Sequence, residues 1–413
     1  MSGLQSLHIQ NSATMGERNG VTLPLSYGNI QEQHNALRNH ILMVDYSHFG
    51  IAEVSGDSAY ELLNIMVAGD VSTIRDEQAM YTIIMDEEGH IVSDLYVLCD
   101  EERFILLSEW LTGDELCQRM TQIKEANEEA LEEIEEIRSL NEEWGIVHVE
   151  GPYSWELMAE MYGMDVVGLP FQEHMHINDA DILLRSGKHG EYSYKILVNK
   201  SEMEATWLAL QEAGEKYELC VGGLDYQKKA RLENPCWEPT LYAEFTRCPI
   251  ELQMQWSVRY DKAESTGIEP LTERLAQGVT QRVIGFTTTD TNGESITYGD
   301  AIFFDGKRIG TVLESGYSSA CESYIGRGIL TINYAYADIP FYQIEASTGR
   351  VAINTSAIPF IRNFSFFVNP SEHSYINPAR PKHLIEQIAW QKKKEEEQAL
   401  AQANAEQEQP SAS

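Results

Sequence analysis

The sequence predicts an α+β region followed by an antiparallel β-barrel, and two observations carry that prediction. An order of strand, helix and further strands occurs twice, across 45–110 and across 145–215, as expected of two related α+β halves. After about residue 275 the texture changes to short strands broken by Gly, Asn and Asp, in RVIGFTTTD, AIFFDGKRIGTVLES, RGILTINYAY and FYQIEAS. That is the pattern of a small antiparallel barrel or sandwich. The expected division is a flexible 1–20, a two-part region over 21–275 parting near 140, a barrel over 276–375 and a charged helical or disordered tail over 376–413. A chain of 413 residues is long enough for this.

The elements follow in order. IQEQHNALRNH reads as a short helix, and MVDYSHFGIAEVSG alternates like a strand ending in Gly56. DSAYELLNIMVAGD has apolar residues at helical spacing behind Asp57 or Ser58 as a candidate cap. YTIIMDEEGHIVSDLYVLCDEERFILLSE predicts three strands joined by polar turns, with Asp94 on the middle one. Residues 112–140 contain Glu125, Glu128, Glu129, Glu132, Glu133, Glu135 and Glu136 with a thin apolar stripe of Ile123, Leu131, Ile134 and Ile137, which predicts a helix with a solvated acidic face. WGIVHVEGP begins another strand and YSWELMAEMYG a helix. DILLRSGKHGEYSYKILVN predicts two strands around a Gly-rich hairpin, followed by a helix capped by Ser201.

Composition narrows the function. Against 65 acidic side chains there are 30 basic ones, a formal charge of -35, and such a field repels nucleic acid and anionic membranes. The six cysteines lie far apart without a CxxC, so zinc, iron–sulfur and disulfide frameworks are not expected, and no metal is. No stretch reaches 18 apolar residues, and a cytoplasmic protein is expected. GxGxxG before a helix, GxxxxGK[ST] and HExxH are missing. Ser47 and His48 are neighbours on a predicted strand, so their side chains point to opposite faces and cannot form a nucleophile–base pair.

Six segments resemble one family in colinear order: PLSYGNIQEQHNALRNHILMVDYSHFG, AGDVSTIRDEQAMYTIIMDEEGHIVSDLYV, GEYSYKI, GGLDYQKKARLE, PIELQMQW and GTVLESGYS. The resemblance reaches from residue 21 to about 362. The family is that of the aminomethyltransferases, the glycine-cleavage T-protein and its folate-dependent relatives. The resemblance implies T-protein-like folate-binding domains with a C-terminal antiparallel barrel or jelly-roll-like domain, tetrahydrofolate in a central cavity, and movement of a one-carbon unit between a donor and folate N5.

It also implies site residues. Asp94 matches the aspartate of the family's IxDDLxV strand, while the preceding Asp is Ser93 here. A carboxylate in a dry cavity can orient the ring, stabilise developing positive charge and relay a proton. Glu191 matches the glutamate of GYTGExGYE[IV], suited to pairing bidentately with an amide N–H and an amino group. Its plain alternative is a hairpin-surface glutamate. His48 matches the histidine of DVSHM, and Tyr46 lies two residues back on the same strand face; a role serving the leaving group and a satisfied core position compete. Arg231 and Glu233 match LRLE, in part structurally. Tyr242, Trp256 and Arg259 are candidate pocket walls, although Trp and Tyr more often supply packing area.

The departures cluster on the donor side. GYTGE reads GKHGE, with Lys188 and His189; YE[IV] reads YKI, with Lys195; and the arginine of GLGARDTLRLE is Gln227. These changes favour a demethylase or methyltransferase relative over a true T-protein, passing a methyl group from a small O-, N- or S-methyl donor to folate. A methoxylated aromatic acid, a methylated amine and a methylated sulfur compound all stay open, the Trp and Tyr content around 226–260 favouring an aromatic. The alternatives are a glycine-cleavage-type aminomethyltransferase and a folate-binding member without transfer. Members that assist iron–sulfur assembly carry a KGCYxGQE loop, which ENPCWEP around Cys236 is not.

Overall fold

The structure, a computed structural model, describes residues 3–376 apart from 263, 362–363 and 371–372. Two sheets pack face to face. One has six strands in the order Glu173–His176, Ile182–Arg185, Ser193–Asn199, Trp144–Glu150, Ile41–Asp45 and Leu219–Gly222. The other has five: Ala79–Met85, Ile91–Asp100, Arg103–Ser108, Gly50–Ser55 and Glu136–Ser139. Every pairing in them is antiparallel except Leu219–Gly222 on Ile41–Asp45.

Period-two alternation sorts these strands into layers. Leu42 and Val44 join Tyr96, Leu98, Ile105, Leu107, Ile146 and Leu197 in a core between the sheets. Their sequence neighbours Ile41, Met43, Val147 and Ile196 face outward onto helices Ser154–Tyr162 and Met203–Gly214. Leu95, Val97 and Leu106 likewise face helices Ala59–Met66 and Gly113–Ala126. The result is a helix–sheet–sheet–helix sandwich.

The expected C-terminal barrel is a closed one, in the order Gln281–Thr288, Ser323–Thr331, Lys307–Ser318, Ala301–Phe304, Tyr342–Ala346 and Gly349–Ser356. Its filling, with Phe286, Ile302, Val312, Ile344 and Val351, is separate from the seam where Val283, Leu313 and Ile329 meet Trp237, Ile250 and Leu271.

Four local expectations are corrected. Residues 3–10 form a helix instead of a loose end, because Leu4 is buried and His8 bonds Tyr27 at 2.6 Å and Asp45 at 3.2 Å. The stretch MVDYSHFGIAEVSG is two strands in different sheets, so a strand from the first half completes the sheet of the second. The acidic helix stops at Ala126, and Glu136–Ser139 is an edge strand. Ser201 bonds Asn199 rather than capping the next helix, which begins at Met203. From residue 377 the predicted tail lies outside the described residues.

Candidate active site

The alternation that builds the core also loads one end of it with charge. On Ile91–Asp100, Asp94 shares the inner face with Tyr96 and Leu98. On Trp144–Glu150, His148 and Glu150 continue the face of Ile146, and on Ser193–Asn199, Lys195 continues that of Leu197. Glu109 extends the inner face of Ile105 and Leu107 just past its strand. The acid in IVSDLYV is therefore an inward residue of a sheet, wholly buried.

Buried charges must be paired, and Asp94, Glu109, Lys188 and Arg231 are. The Lys188 ammonium lies 2.6 Å from Asp94 Oδ2 and 3.1 Å from Glu109 Oε2. Tyr81 donates its hydroxyl to Asp94 Oδ2 at 2.7 Å, whereas Asp94 Oδ1 is buried without a hydrogen-bond partner. Glu109 also accepts from Arg231 and, at 3.1 Å, from Gln227. From Gln227 the chain of bonds runs through Tyr46 and Tyr226 to Glu150, which His189 and His148 also contact at 2.9 and 3.3 Å. Tyr46 stacks on His148 with ring centres 4.2 Å apart.

The electrostatics follow from burial against pairing. Burial pushes the Glu109 carboxyl up, but Arg231 and Lys188 outweigh it and hold it well below the carboxylate range. Burial pulls the Lys188 ammonium down, and Asp94 and Glu109 raise it above the ordinary lysine value. Lys195 has no such partner. Its amine donates to Ser186 O and Oγ at 3.0 and 3.1 Å over the Tyr96 ring, and burial, with Lys188 nearby, lowers it to about 7.

A second cluster ties the sandwich to the barrel. Arg38 binds Glu191 at 2.7 Å and Glu233 at 2.9 Å, His34 binds Glu233, and Ser318 of the barrel donates to Glu233 at 2.7 Å. Ser365 holds the other Glu191 oxygen. Glu191 is thus a buried residue rather than a hairpin-surface glutamate, with Arg38 on one oxygen and Ser365 on the other. Burial raises it to about 7 against the pull of Arg38.

Next to Lys188 opens a cavity of about 490 Å³, lined among others by Tyr81, Asn234, Cys236, Tyr242, Met254 and Trp256. Lys188 also walls an inner void of about 10 Å³ bounded by Tyr46, Glu109, His148, Lys195 and Arg231, too small for more than one water. The cavity thus ends at Lys188. Its size suits a small-molecule ligand. The Trp256 indole, 68% exposed, stacks on Tyr81 with centres 5.6 Å apart, and Asn234 Oδ1 is buried without a partner. An aromatic shelf beside an unsatisfied acceptor suits a planar ring that carries an N–H.

Of the residues nominated from sequence, Tyr242 and Trp256 line this cavity, and Asp94 is gripped by two lining residues. Tyr46 and Arg231 lie in the network behind it. His48 lines a different, polar groove of about 790 Å³, with Asp45, Asn141 and Lys200; both its ring nitrogens are unpartnered, and burial lowers it to about 4. Arg259 is exposed and pairs with Asp261. Sequence reasoning missed Arg38, Glu109, Glu150 and Tyr81. Glu109 and Glu150 carried a signal, since each extends the alternation of an apolar strand face. The turn bearing Lys188 folds inward because Gly187 packs on Ser193, where a Cβ would come within 2.6 Å, and Gly190 takes φ +82°. Among the described residues no group of three or more His, Cys, Asp or Glu could hold a metal, and no helix is long and apolar enough to cross a membrane.

Comparison with known proteins gives a consistent result. The family model described as the GCVT N-terminal domain matches residues 4–262. The aminomethyltransferase of Halothermothrix orenii is 26% identical over 338 residues, covering 80% of this chain and 92% of its own. That of Pseudothermotoga lettingae is 23% identical over 364 residues, covering 87% and 97%. The crystal structure of the glycine cleavage system aminomethyltransferase T from Bartonella henselae superposes with a TM-score of 0.73 at 21% identity, over 87% of this chain and 97% of that one. It shows the same fold. These findings overturn the preference for a demethylase relative: the family match and the aminomethyltransferases around it point to the T-protein side. Of the substitutions behind that preference, Lys188, Gln227 and His189 join one buried network through Glu109 and Glu150, and Lys195 lies beside it bonded to Ser186.

Proposed function

Because the chain belongs to the family of the GCVT N-terminal domain, matched over residues 4–262, we propose that this family enzyme is an aminomethyltransferase-type one-carbon transferase with tetrahydrofolate as acceptor. The observation that carries the proposal is Asp94: a buried carboxylate beside an aromatic cavity, one oxygen held by Tyr81 and Lys188 and the other unpaired. Folate, when bound, supplies the nucleophilic N5. Trp256 and Tyr81 hold its ring plane, and Asn234 offers an acceptor. Asp94 Oδ1, itself buried, orients an N–H or stabilises positive charge developing at the transferred carbon. Tyr81 and Lys188 fix that carboxylate in place, so that no reorganisation is needed as charge develops.

A second reading is favoured by Lys188, whose ammonium already compensates Asp94: folate binding without transfer. Titration calorimetry with tetrahydrofolate, followed by mass spectrometry for one-carbon transfer from an aminomethylated donor, separates the two. Binding with transfer, lost in Asp94→Asn, supports the transferase. Binding alone supports the second reading, and no binding at millimolar folate defeats both.

A further inference from the structure

Behind Lys188 lies the inner void of about 10 Å³, room for a single water-sized particle. Three cationic side chains from separate elements reach its wall: Lys188 from the Gly-rich turn, Lys195 from strand Ser193–Asn199 and Arg231 from helix Gln227–Glu233. The same wall carries the carboxylate of Glu109, but both its oxygens are taken, Oε1 by Arg231 and Gln227 and Oε2 by Lys188. Donors are left over. The Arg231 Nε–H is buried and has no hydrogen-bond partner among the described residues. Lys188 directs two of its three N–H bonds to Asp94 and Glu109, and a protonated Lys195 directs two of its three to Ser186. Lys195 also lacks a counter-ion, since Asp94 and Glu109 are bound to Lys188, and Glu150 to His148, His189 and Tyr226.

We propose that this void is a binding site for one monatomic anion of the halide class, held by Arg231, Lys188 and Lys195. A water in its place accepts from two of the three donors and needs acceptors for its own two hydrogens. Those hydrogens meet a carboxylate that is already bonded, and His148 Nδ1, unpartnered on the same wall, can take one of them. A halide ion accepts from all three donors and has nothing to donate. It also supplies the counter-charge that Lys195 lacks, and a buried charge is stable when it is paired. Lys188 lines the open 490 Å³ cavity as well as the void, so the anion enters past that side chain. The inference is independent of the folate reading, because the void is too small for a ring.

The test takes sodium bromide as its probe, because bromide scatters X-rays anomalously. Crystals of the full chain grown in bromide should show an anomalous peak inside the void, against Arg231 Nε and Lys195 Nζ. In urea unfolding at constant ionic strength, bromide replacing gluconate, an anion too large for the void, should stabilise the protein and the effect should saturate. Lys195→Met, which keeps the volume and removes the charge, should raise the half-saturating bromide concentration about tenfold. Should that variant not fold, the wild-type crystals decide. A void without an anomalous peak overturns the proposal, as do peaks confined to the protein surface, an adventitious ion only. A stability difference that is missing or does not saturate overturns it too, and so does a half-saturating concentration unchanged in the folded variant.

Discussion

Lys195 offers the sharpest prediction about stability. Its amine is fully buried, bonded to Ser186 and without a carboxylate at contact distance. Burial lowers it from 10.5 to about 7. Between those values the unfolded chain binds a proton that the folded chain does not, so the folded state gains stability as pH rises. The whole gap is worth about 5 kcal/mol at about 1.4 kcal/mol per pH step, an upper figure because relaxation and water entry soften a buried charge. From pH 7 to pH 9 the gain should be about 2 kcal/mol. Lys195→Met keeps the volume and removes the titration. It leaves the Ser186 acceptors unpaired, at about 1–3 kcal/mol, and avoids the deprotonation cost. Urea unfolding of both proteins at pH 7, 8 and 9 should show the wild type gaining on the variant by about 2 kcal/mol across that range. Parallel stability curves would refute the reasoning.

Glu191 should act with the opposite sign. Raised in the folded state to about 7, it contributes stability that is present below its unfolded value near 4.5 and is lost as pH rises through 7. Glu191→Gln should flatten the fall in unfolding free energy between pH 5 and 7 by about 2 kcal/mol. Trp256→Ala should weaken tetrahydrofolate binding about three- to tenfold, the loss of one ring stack, while the melting temperature stays put because the indole is mostly exposed. His48→Phe should leave the folate dissociation constant unchanged, as the ring lines the separate groove; a tenfold loss in calorimetry would place it in the site after all.

Much of this was legible in local pattern. The barrel announced itself by its turns, and the inward aim of Asp94 follows from the alternation of IVSDLYV. Partners distant in sequence were not legible. Glu191 sits in a Gly-rich turn and reads as a surface residue, and only the fold brings Arg38, 153 positions away, against it. Lys188 in GKHGE reads as a hairpin tip for the same reason, and nothing local shows the turn folding inward onto Asp94 and Glu109. The short edge strand Glu136–Ser139 was hidden by the acidic run before it. Its pairing is with Gly50–Ser55 alone, so its residues carry little of the two-sided burial that marks a strand. The helix ahead of it has a capping box at Thr112 and Glu115 and ends at Ala126 with Asn127 as its C-cap, a stop that a glutamate-rich continuation does not reveal.

The cavity also crosses a boundary of inheritance. The matched family region ends at residue 262, yet Ile358 and Pro359, from beyond the last barrel strand, form part of the wall facing Trp256 and Lys188. Glu233 anchors that crossing, taking Ser318 of the barrel on its carboxylate and the Phe360 amide on its backbone oxygen. A gene cut at the family boundary would therefore encode an open trough, and a barrel borrowed from another member would redraw the rim of the pocket without touching a residue of its floor. Ligand preference in this architecture can drift through the barrel while Asp94 and Lys188 stay as they are.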